Sequence, residues 1–423
     1  MVLAVLGFLT RFFYLGFPNQ VVFDETHYGK YVSGYLTNTH FFDVHPPLSK
    51  LLAAFFAWIG NFNPHFDFAS IGQTFTDPNY IYLRLAPAIC GFLLPIVVYY
   101  LAKEIGLSKM TAFFAGLVVV FENSLLVQSK FMLLDGELVF FGMTALLFYM
   151  LFRNRKHWAY LATAAVFLGA AISTKWTGIG FLGMCLVIEL ASFIHDKKPT
   201  HWKTLAALVV IPCAIYAGTF AIHFNLLTEP GPGDAFMSQD YQSKGFTDKF
   251  IELNEKMWQK NTELTAVHAY SSKWYSWPLM LRPIYYWEHG EEKIYSTGNP
   301  FVYWIGFAAI LTLLGHALLR TKLFLAKRHA ILFILFGYCA NYLPYIAVGR
   351  VSFLYYYLVA LVFAILATAL LIDSVRDAKQ KRNWLIAVLV VFISGFFYFA
   401  PMSYGFPLSP VAQEQHFWLS SWK

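Results

Sequence analysis

The stretch VVFDETHYGKY sets two carboxylates side by side, at Asp24 and Glu25. In a helix, adjacent side chains project on different faces, so only one of the two can enter a shared cavity. A carboxylate at an apolar boundary beside cations can have its basicity tuned and act as a general base. An aspartate at this position also suits the cap of a following helix, and the residues alone leave both readings open. Five cations stand near the ends of apolar runs: Arg11, Arg84, Lys130, Lys175 and Arg350. Singly, such side chains snorkel toward lipid headgroups. Gathered around one cavity, they would suit an anionic group such as a phosphate, which arginine grips with two parallel hydrogen bonds. Asp135 follows Lys130 in QSKFMLLD, and Glu122 lies deeper in the preceding run. His45, in HPPL, stands where paired prolines give a rigid entry to a helix, and it suits a structural hydrogen bond as well as catalysis. His268 opens the aromatic segment HAYSSKWYSWPLMLRPIYYWEHG, and Tyr356 lies in FLYYYL. Such rings suit a membrane-interface belt, the face of a sugar or an extended peptide. No metal-ligand spacing, phosphate-cradling glycine loop or nucleophile elbow occurs.

The elements that must position these groups are membrane helices. Only 13% of the 423 residues are charged and 58% are hydrophobic, against about 25% charged in soluble domains. Apolar runs recur at lengths near the ~20 residues that cross a bilayer. We count about eleven spans, beginning near Val2, Ile81, Met110, Gly136, Trp158, Gly178, Thr204, Phe301, Ala330, Val351 and Trp384. Five short connections are basic: Lys103 and Lys109; Arg153, Arg155 and Lys156; Lys197, Lys198 and Lys203; Arg320, Lys322, Lys327 and Arg328; Arg376, Lys379, Lys381 and Arg382. Simple alternation puts all five on one side, which the positive-inside rule makes cytoplasmic. The N-terminus is then inside and the C-terminal tail outside. This placement also accounts for the net charge of +7 without nucleic acid. Met1–Thr10 reads as a membrane anchor rather than a cleaved leader, having no basic n-region. Two long connections fall on the outer face, at about 18–80 and 225–300, dividing the chain into an N-terminal half (1–224), a second outer loop (225–300) and a four-span C-terminal region (301–423). LSKLLAAFFAWIGNF, within the first loop, is too short to span and suits an interfacial helix. The four cysteines sit in apolar runs and read as small hydrophobes.

Several segments together resemble the protein O-mannosyltransferases, multi-span glycosyltransferases of the GT-C fold. They are TRFFYLGFPNQVVFDETHYGKY, HPPLSK, RLAPAICG, ENSLLVQSKFMLLD, STKWTG, HAYSSKWYSWPLMLRP, TGNP and GRVSFLYYYL. The resemblance covers most of the chain and implies an all-α integral membrane fold. It also implies that Asp24 is the base that deprotonates a Ser or Thr hydroxyl of an acceptor protein, while Glu25 supports the first loop. The hydroxyl would attack the anomeric carbon of a polyprenyl-phosphate mannose, with inversion. Arg11 and Arg84 fall on the family's functionally important arginines, expected to stabilise the site and the departing phosphate. To these we add Lys130, Lys175 and Arg350 as phosphate contacts, with His45, Asp135, His268 and Tyr356 in support. The scheme calls for no cofactor and no metal. The expected location is the plasma membrane, with the site facing outward. The chain departs from the eukaryotic members, whose second loop carries a β-trefoil. Its own loop, about 75 residues, is too short for one and resembles the shorter bacterial form. HPPLSK also has Ser49 where glycine is expected. A GT-C transferase of another sugar, or onto a lipid or cell-wall glycan, would use the same carboxylate-and-arginine logic. A transporter would call for two-half symmetry with broken helices, which the sequence lacks.

Overall fold

The computed structural model describes residues 1–196, 202–263 and 268–423; Lys197 and Lys198 lie outside the described residues. The chain opens on α1 (Val2–Phe12), followed by α2 (Glu25–Leu36) and α3 (Leu48–Ile59) in the first long connection. α3 turns Ala53, Ala54 and Ala57 inward and leaves Phe55, Trp58 and Ile59 exposed. Small residues allow close packing on that inner face, and the large apolar residues face outward, which suits a helix lying in the bilayer interface.

Next come α4 (Leu85–Glu104), α5 (Lys109–Val120), α6 (Asn123–Val127), α7 (Leu134–Arg155), α8 (Trp158–Thr174), α9 (Ile179–Asp196) and α10 (Trp202–Leu226). The second long connection holds α11 (Phe246–Glu263) and an antiparallel hairpin, β1 (Ile284–His289) with β2 (Glu292–Ser296). The chain closes with α12 (Pro300–Leu318), α13 (Lys322–Tyr342), α14 (Leu358–Asp373), α15 (Ala378–Tyr404) and α16 (Pro410–His416).

Among the described residues, eight helices are long and apolar enough to cross a membrane. The other three expected spans are α1, α5 and α8, with 11, 12 and 17 residues. At 1.5 Å per residue, α1 and α5 are only about 16–18 Å long, short of a ~30 Å hydrocarbon core. α5 is continued by α6 across a break at Phe121 and Glu122. The Glu122 carboxylate spans this break, accepting from the Leu125 N–H (2.6 Å), Ser124 Oγ (2.7 Å) and the Asn299 N–H (2.9 Å). Irregular backbone at membrane depth needs such internal partners.

The span expected from Ala330 begins earlier. Thr321 caps α13 at Lys322, so Lys322, Lys327 and Arg328 lie in the helix rather than in a connection, with a kink at Lys327. α14 is the innermost helix and is buried along nearly its whole length. Gly337 of α13 meets the Phe363 ring of α14 where a Cβ would clash at 2.2 Å, an approach of the kind small residues permit between membrane helices. α7 packs between α4 and α8, and its first residues, Leu134 and Asp135, share a cavity wall with Asp24 and His45 of the first long connection.

Candidate active site

The Asp24–Glu25 pair is split as the two faces of a helix start require. Asp24 stands at the N-terminal boundary of α2 and Glu25 is its first residue. Glu25 is fully engaged. Its carboxylate takes a two-pronged pair from Arg84 (Nε and Nη2, both 2.8 Å) and the N–H groups of Val22 (3.0 Å) and Met132 (3.2 Å). Arg84 spends its remaining donors on the carbonyls of Leu15, Pro18 and Gln20. Both side chains are buried. The pair therefore locks the loop that precedes Asp24.

Asp24 is left free: among the described residues its carboxylate has no hydrogen bond, and it opens onto a cavity of about 60 Å³. The wall also includes Tyr28, His45, Gln128, Asp135, Lys175 and Tyr355. Burial in this near-closed space pushes the Asp24 carboxyl up to about 7. Asp135 and Asp43 add to the rise, and Lys175 opposes it. Lys175 ends α8 and reaches Asp135 at the start of α7 (2.9 and 3.1 Å), with its ammonium 4.3 Å from the centre of the Tyr356 ring. Arg350 donates to the Tyr356 hydroxyl (2.8 Å) and to Asn261. His45 is held well below the usual histidine range by burial and by Lys175, Arg350 and Lys50. It is neutral at physiological pH and adds no charge. Lys50 closes the HPPLSK turn beneath it through Asp43 and the carbonyls of His45 (2.7 Å) and Pro46 (3.1 Å).

The cavity thus gathers Asp24, His45, Asp135 and Lys175, with Tyr356 and Arg350 directly behind them. Arg11, Arg84, Lys130 and His268 do not line it. Arg11 is buried and donates to the carbonyls of Val119 (2.7 Å) and Val120 (2.6 Å) at the end of α5, where a cation meets the helix dipole. Lys130 donates to the carbonyls of Phe13 (3.0 Å) and Tyr14 (2.9 Å) and lies 4.4 Å from the centre of the Tyr404 ring. These cations satisfy broken backbone rather than face open space. His268 is exposed, at the edge of the Phe353 ring.

Two cavity residues, Tyr28 and Gln128, and one that braces them from the hairpin, Tyr286, escaped the sequence reading. Tyr28 follows Asp24 by one helical turn. Gln128 donates to the Tyr286 hydroxyl (2.6 Å) and leaves its own carbonyl oxygen unpaired in the cavity wall; a polar amide in an apolar run was its available signal. Tyr286 acts from the hairpin. It stacks flat on Phe23 (4.2 Å, 6°), and its carbonyl accepts the Phe23 N–H (3.2 Å). Phe23 has φ +47°, a conformation that bulky residues rarely adopt. The hairpin therefore fixes a strained residue immediately before Asp24.

Residues 1–228 match the family model described as dolichyl-phosphate-mannose-protein mannosyltransferase. The chain belongs to the protein O-mannosyltransferase family. Residues 246–422 match the C-terminal four-transmembrane region of protein O-mannosyltransferase. Among similar members of this family is dolichyl-phosphate-mannose–protein mannosyltransferase 4 of Candida albicans. It is 35% identical over 259 residues, covering 56% of this chain and 34% of the relative. Protein O-mannosyltransferase 1 of Drosophila melanogaster is 37% identical over 257 residues, covering 57% of this chain and 29% of the relative. The match spans about a third of each relative's length. Among solved structures, the S. cerevisiae protein O-mannosyltransferase Pmt1–Pmt2 complex bound to the sugar donor aligns with a TM-score of 0.93 at 22% identity. That alignment covers 100% of this chain and 92% of that one. ArnT from Cupriavidus metallidurans, bound to undecaprenyl phosphate, aligns with a TM-score of 0.59 at 15% identity, covering 96% of this chain and 75% of that one. The fold is therefore that of the GT-C transferases, and this protein O-mannosyltransferase family member is a multi-pass membrane protein.

Proposed function

We propose that this chain transfers mannose from a polyprenyl-phosphate mannose to Ser or Thr hydroxyls of proteins, at the extracytoplasmic face of the plasma membrane and with inversion. The N-terminus is then cytoplasmic and the C-terminus outside, in keeping with the positive-inside rule. The observation that carries the reading is the division of labour in the acidic pair: Glu25 is saturated by Arg84, while Asp24 is unbonded in a cavity beside Lys175. A base must be able to reach the proton it abstracts, and only the second carboxylate can. The names of the relatives specify dolichyl-phosphate mannose and a protein, and the ArnT structure holds undecaprenyl phosphate. Both lipids are polyprenyl phosphates.

In the proposed step, Asp24 takes the hydroxyl proton as the acceptor oxygen bonds to the anomeric carbon. The bond from that carbon to the phosphate oxygen breaks, and the polyprenyl phosphate departs. Lys175, with Arg350 behind Tyr356, meets the phosphate charge; preorganised charge in a water-poor site is a strong catalytic term. Arg84, Arg11 and Lys130 act on the scaffold, through the first loop, the α5 break and the end of α1. His45 supplies a neutral hydrogen-bonding ring, and Asp135 orients Lys175. His268 stands apart from these contacts, at the margin of the second loop. No metal or cofactor enters the scheme. The test is to incubate membranes containing the chain, or its Asp24→Ala variant, with radiolabelled polyprenyl-phosphate mannose and a Ser/Thr-rich peptide. Label on the peptide hydroxyls with the first and none with the second is the expected result. An unlabelled peptide with well-folded protein would overturn the mannose and protein-acceptor assignments.

A further inference from the structure

A second, larger recess of about 470 Å³ lies across α2 from the Asp24 cavity. Its walls come from both outer loops: α2 supplies Tyr31 and Ser33, the segment that follows it supplies Thr37, His40 and Phe41, and the second loop supplies Phe236. The two loops are stitched together along its floor. The His40 N–H donates to the Glu229 carbonyl (2.9 Å), and the Gly233 N–H to the His40 carbonyl (3.1 Å). Gly231 lies so close that a Cβ would sit 2.3 Å from the His40 oxygen.

His40 is the unusual wall residue. It is 2% exposed, and its Nδ1 lies 2.6 Å from Asp234 Oδ1. Asp234 is itself anchored by the Gly231 N–H and by Gln242. Among the described residues, the other ring nitrogen, Nε2, is buried without a partner, and so is the Ser33 hydroxyl. Burial lowers the pKa of His40. The neutral ring then donates from Nδ1 to Asp234 and offers an Nε2 lone pair. Buried polar atoms without partners are rare and call for an explanation.

Tyr28 lines the cavity and Tyr31 lines the recess, with ring centres 6.1 Å apart. The chain running on from Phe41 and Phe42 reaches His45 in the cavity four residues after Phe41. An extended polypeptide advances about 3.3 Å per residue. If its hydroxyl sits at Asp24, its neighbours two or three residues away reach the recess. Aromatic walls with unpaired acceptors suit the side chains and N–H groups of an extended peptide. The nearby carboxylate of Asp67 is already engaged by Gln73. We propose that this recess is a subsite for the acceptor polypeptide, in which His40 Nε2, oriented by Asp234, accepts a hydrogen bond from an acceptor N–H flanking the modified residue.

This inference rests on the proposed protein acceptor, and the experiment separates the two. Full-length protein in detergent is supplied with polyprenyl-phosphate mannose and one of two acceptors, a blocked single threonine or a ten-residue threonine peptide. The unchanged chain is expected to favour the long peptide through a lower KM. The His40 ring stacks on Tyr241 (centres 5.3 Å apart); His40→Phe keeps that stack but removes both nitrogens, and Ser33→Trp fills the recess, each checked for an unchanged melting profile. Both should raise KM for the long peptide about tenfold, leaving kcat and the single-threonine reaction unaltered. Equal KM values in the variants and the unchanged chain would overturn the subsite. A long-peptide preference restored by a sugar-bearing peptide alone would instead assign the recess to glycan and also overturn it. Transfer to neither acceptor by the unchanged chain would fail the functional reading itself, and the subsite with it.

Discussion

Asp24 owes its candidacy to what does not touch it. Its carboxylate has no hydrogen bond among the described residues and is lifted to about 7, so the basic form accumulates only as pH rises through that value. The acid limb of kcat/KM, which reports the free enzyme, is expected near pH 7, with activity falling below it. Lys175 is the larger of the charged influences on Asp24 and Asp135 the next. Lys175→Met removes the pull toward ionisation, and its effect outweighs any loss of charge on Asp135. The limb should therefore move to higher pH; a pH–rate profile with an unmoved limb would discard Asp24 as the titrating base. Asp24→Ala should lower turnover by roughly 10²–10⁴, the usual contribution of a general base, with unfolding unchanged, and a single-turnover assay of donor consumption reads this directly. Stability has its own sign. A carboxyl raised in the folded state favours folding below its unfolded value, and that advantage is lost as pH climbs toward 7. Asp24→Asn should accordingly raise the melting temperature at pH 8 relative to the unchanged chain and lose that advantage below about pH 4. The sequence made clear that two adjacent carboxylates must divide their work. The two residues by themselves left open which was free, because that depends on Arg84, 59 residues away; the family resemblance supplied the choice of Asp24.

At the level of elements, the site is held by helix ends and breaks. The Arg84–Glu25 pair fixes the chain between α1 and α2, and both partners are buried. Removing one partner of such a pair strands the other's charge, at a cost of about 3–5 kcal/mol. Arg84→Ala should thus show a marked drop in thermal stability in detergent, and the Arg84→Met/Glu25→Leu double variant a smaller drop than the single change. If the losses of the two single variants, Arg84→Met and Glu25→Leu, simply add up to that of the double, the pair is not coupled. The sequence signalled cations at the outer ends of spans, but a string of residues does not reveal which carbonyls a helix break will expose. Arg11, on the end of α5, and Lys130, on the end of α1, were therefore legible as unusual without being legible as structural. The hairpin was missed for a related reason. IYYWEHGEEKIYS carries the aromatic density of an interface belt, and only tertiary packing of Tyr286 on Phe23 reveals it as the buttress of Asp24.

The whole molecule is a set of membrane helices around α14, with the two long connections hydrogen-bonded to each other through His40, Glu229 and Gly233. Each expected span coincides with a helix, and eight of those helices, among the described residues, are long and apolar enough to cross a membrane. Apolar length could not foresee that α5 would stop after 12 residues and resume as α6, because the break is stabilised by Glu122 meeting Asn299 from a distant part of the chain. Orientation rests on charge. The connections carrying Lys103, Arg153 and Arg376 fall on one side by alternation, and the Asp24 loop falls on the other. In a cysteine-free background, Ser70→Cys in the first long connection and Lys379→Cys in the first turn of α15 are both solvent-exposed reporters. A membrane-impermeant thiol reagent applied to intact cells should label the first at once and the second only after permeabilisation. Both changes lie away from the cavity wall, so the labelling is read in an active protein. Labelling in the reverse order would place the Asp24 cavity on the cytoplasmic face and invert the proposed orientation, while leaving helix packing and the carboxylate assignment intact.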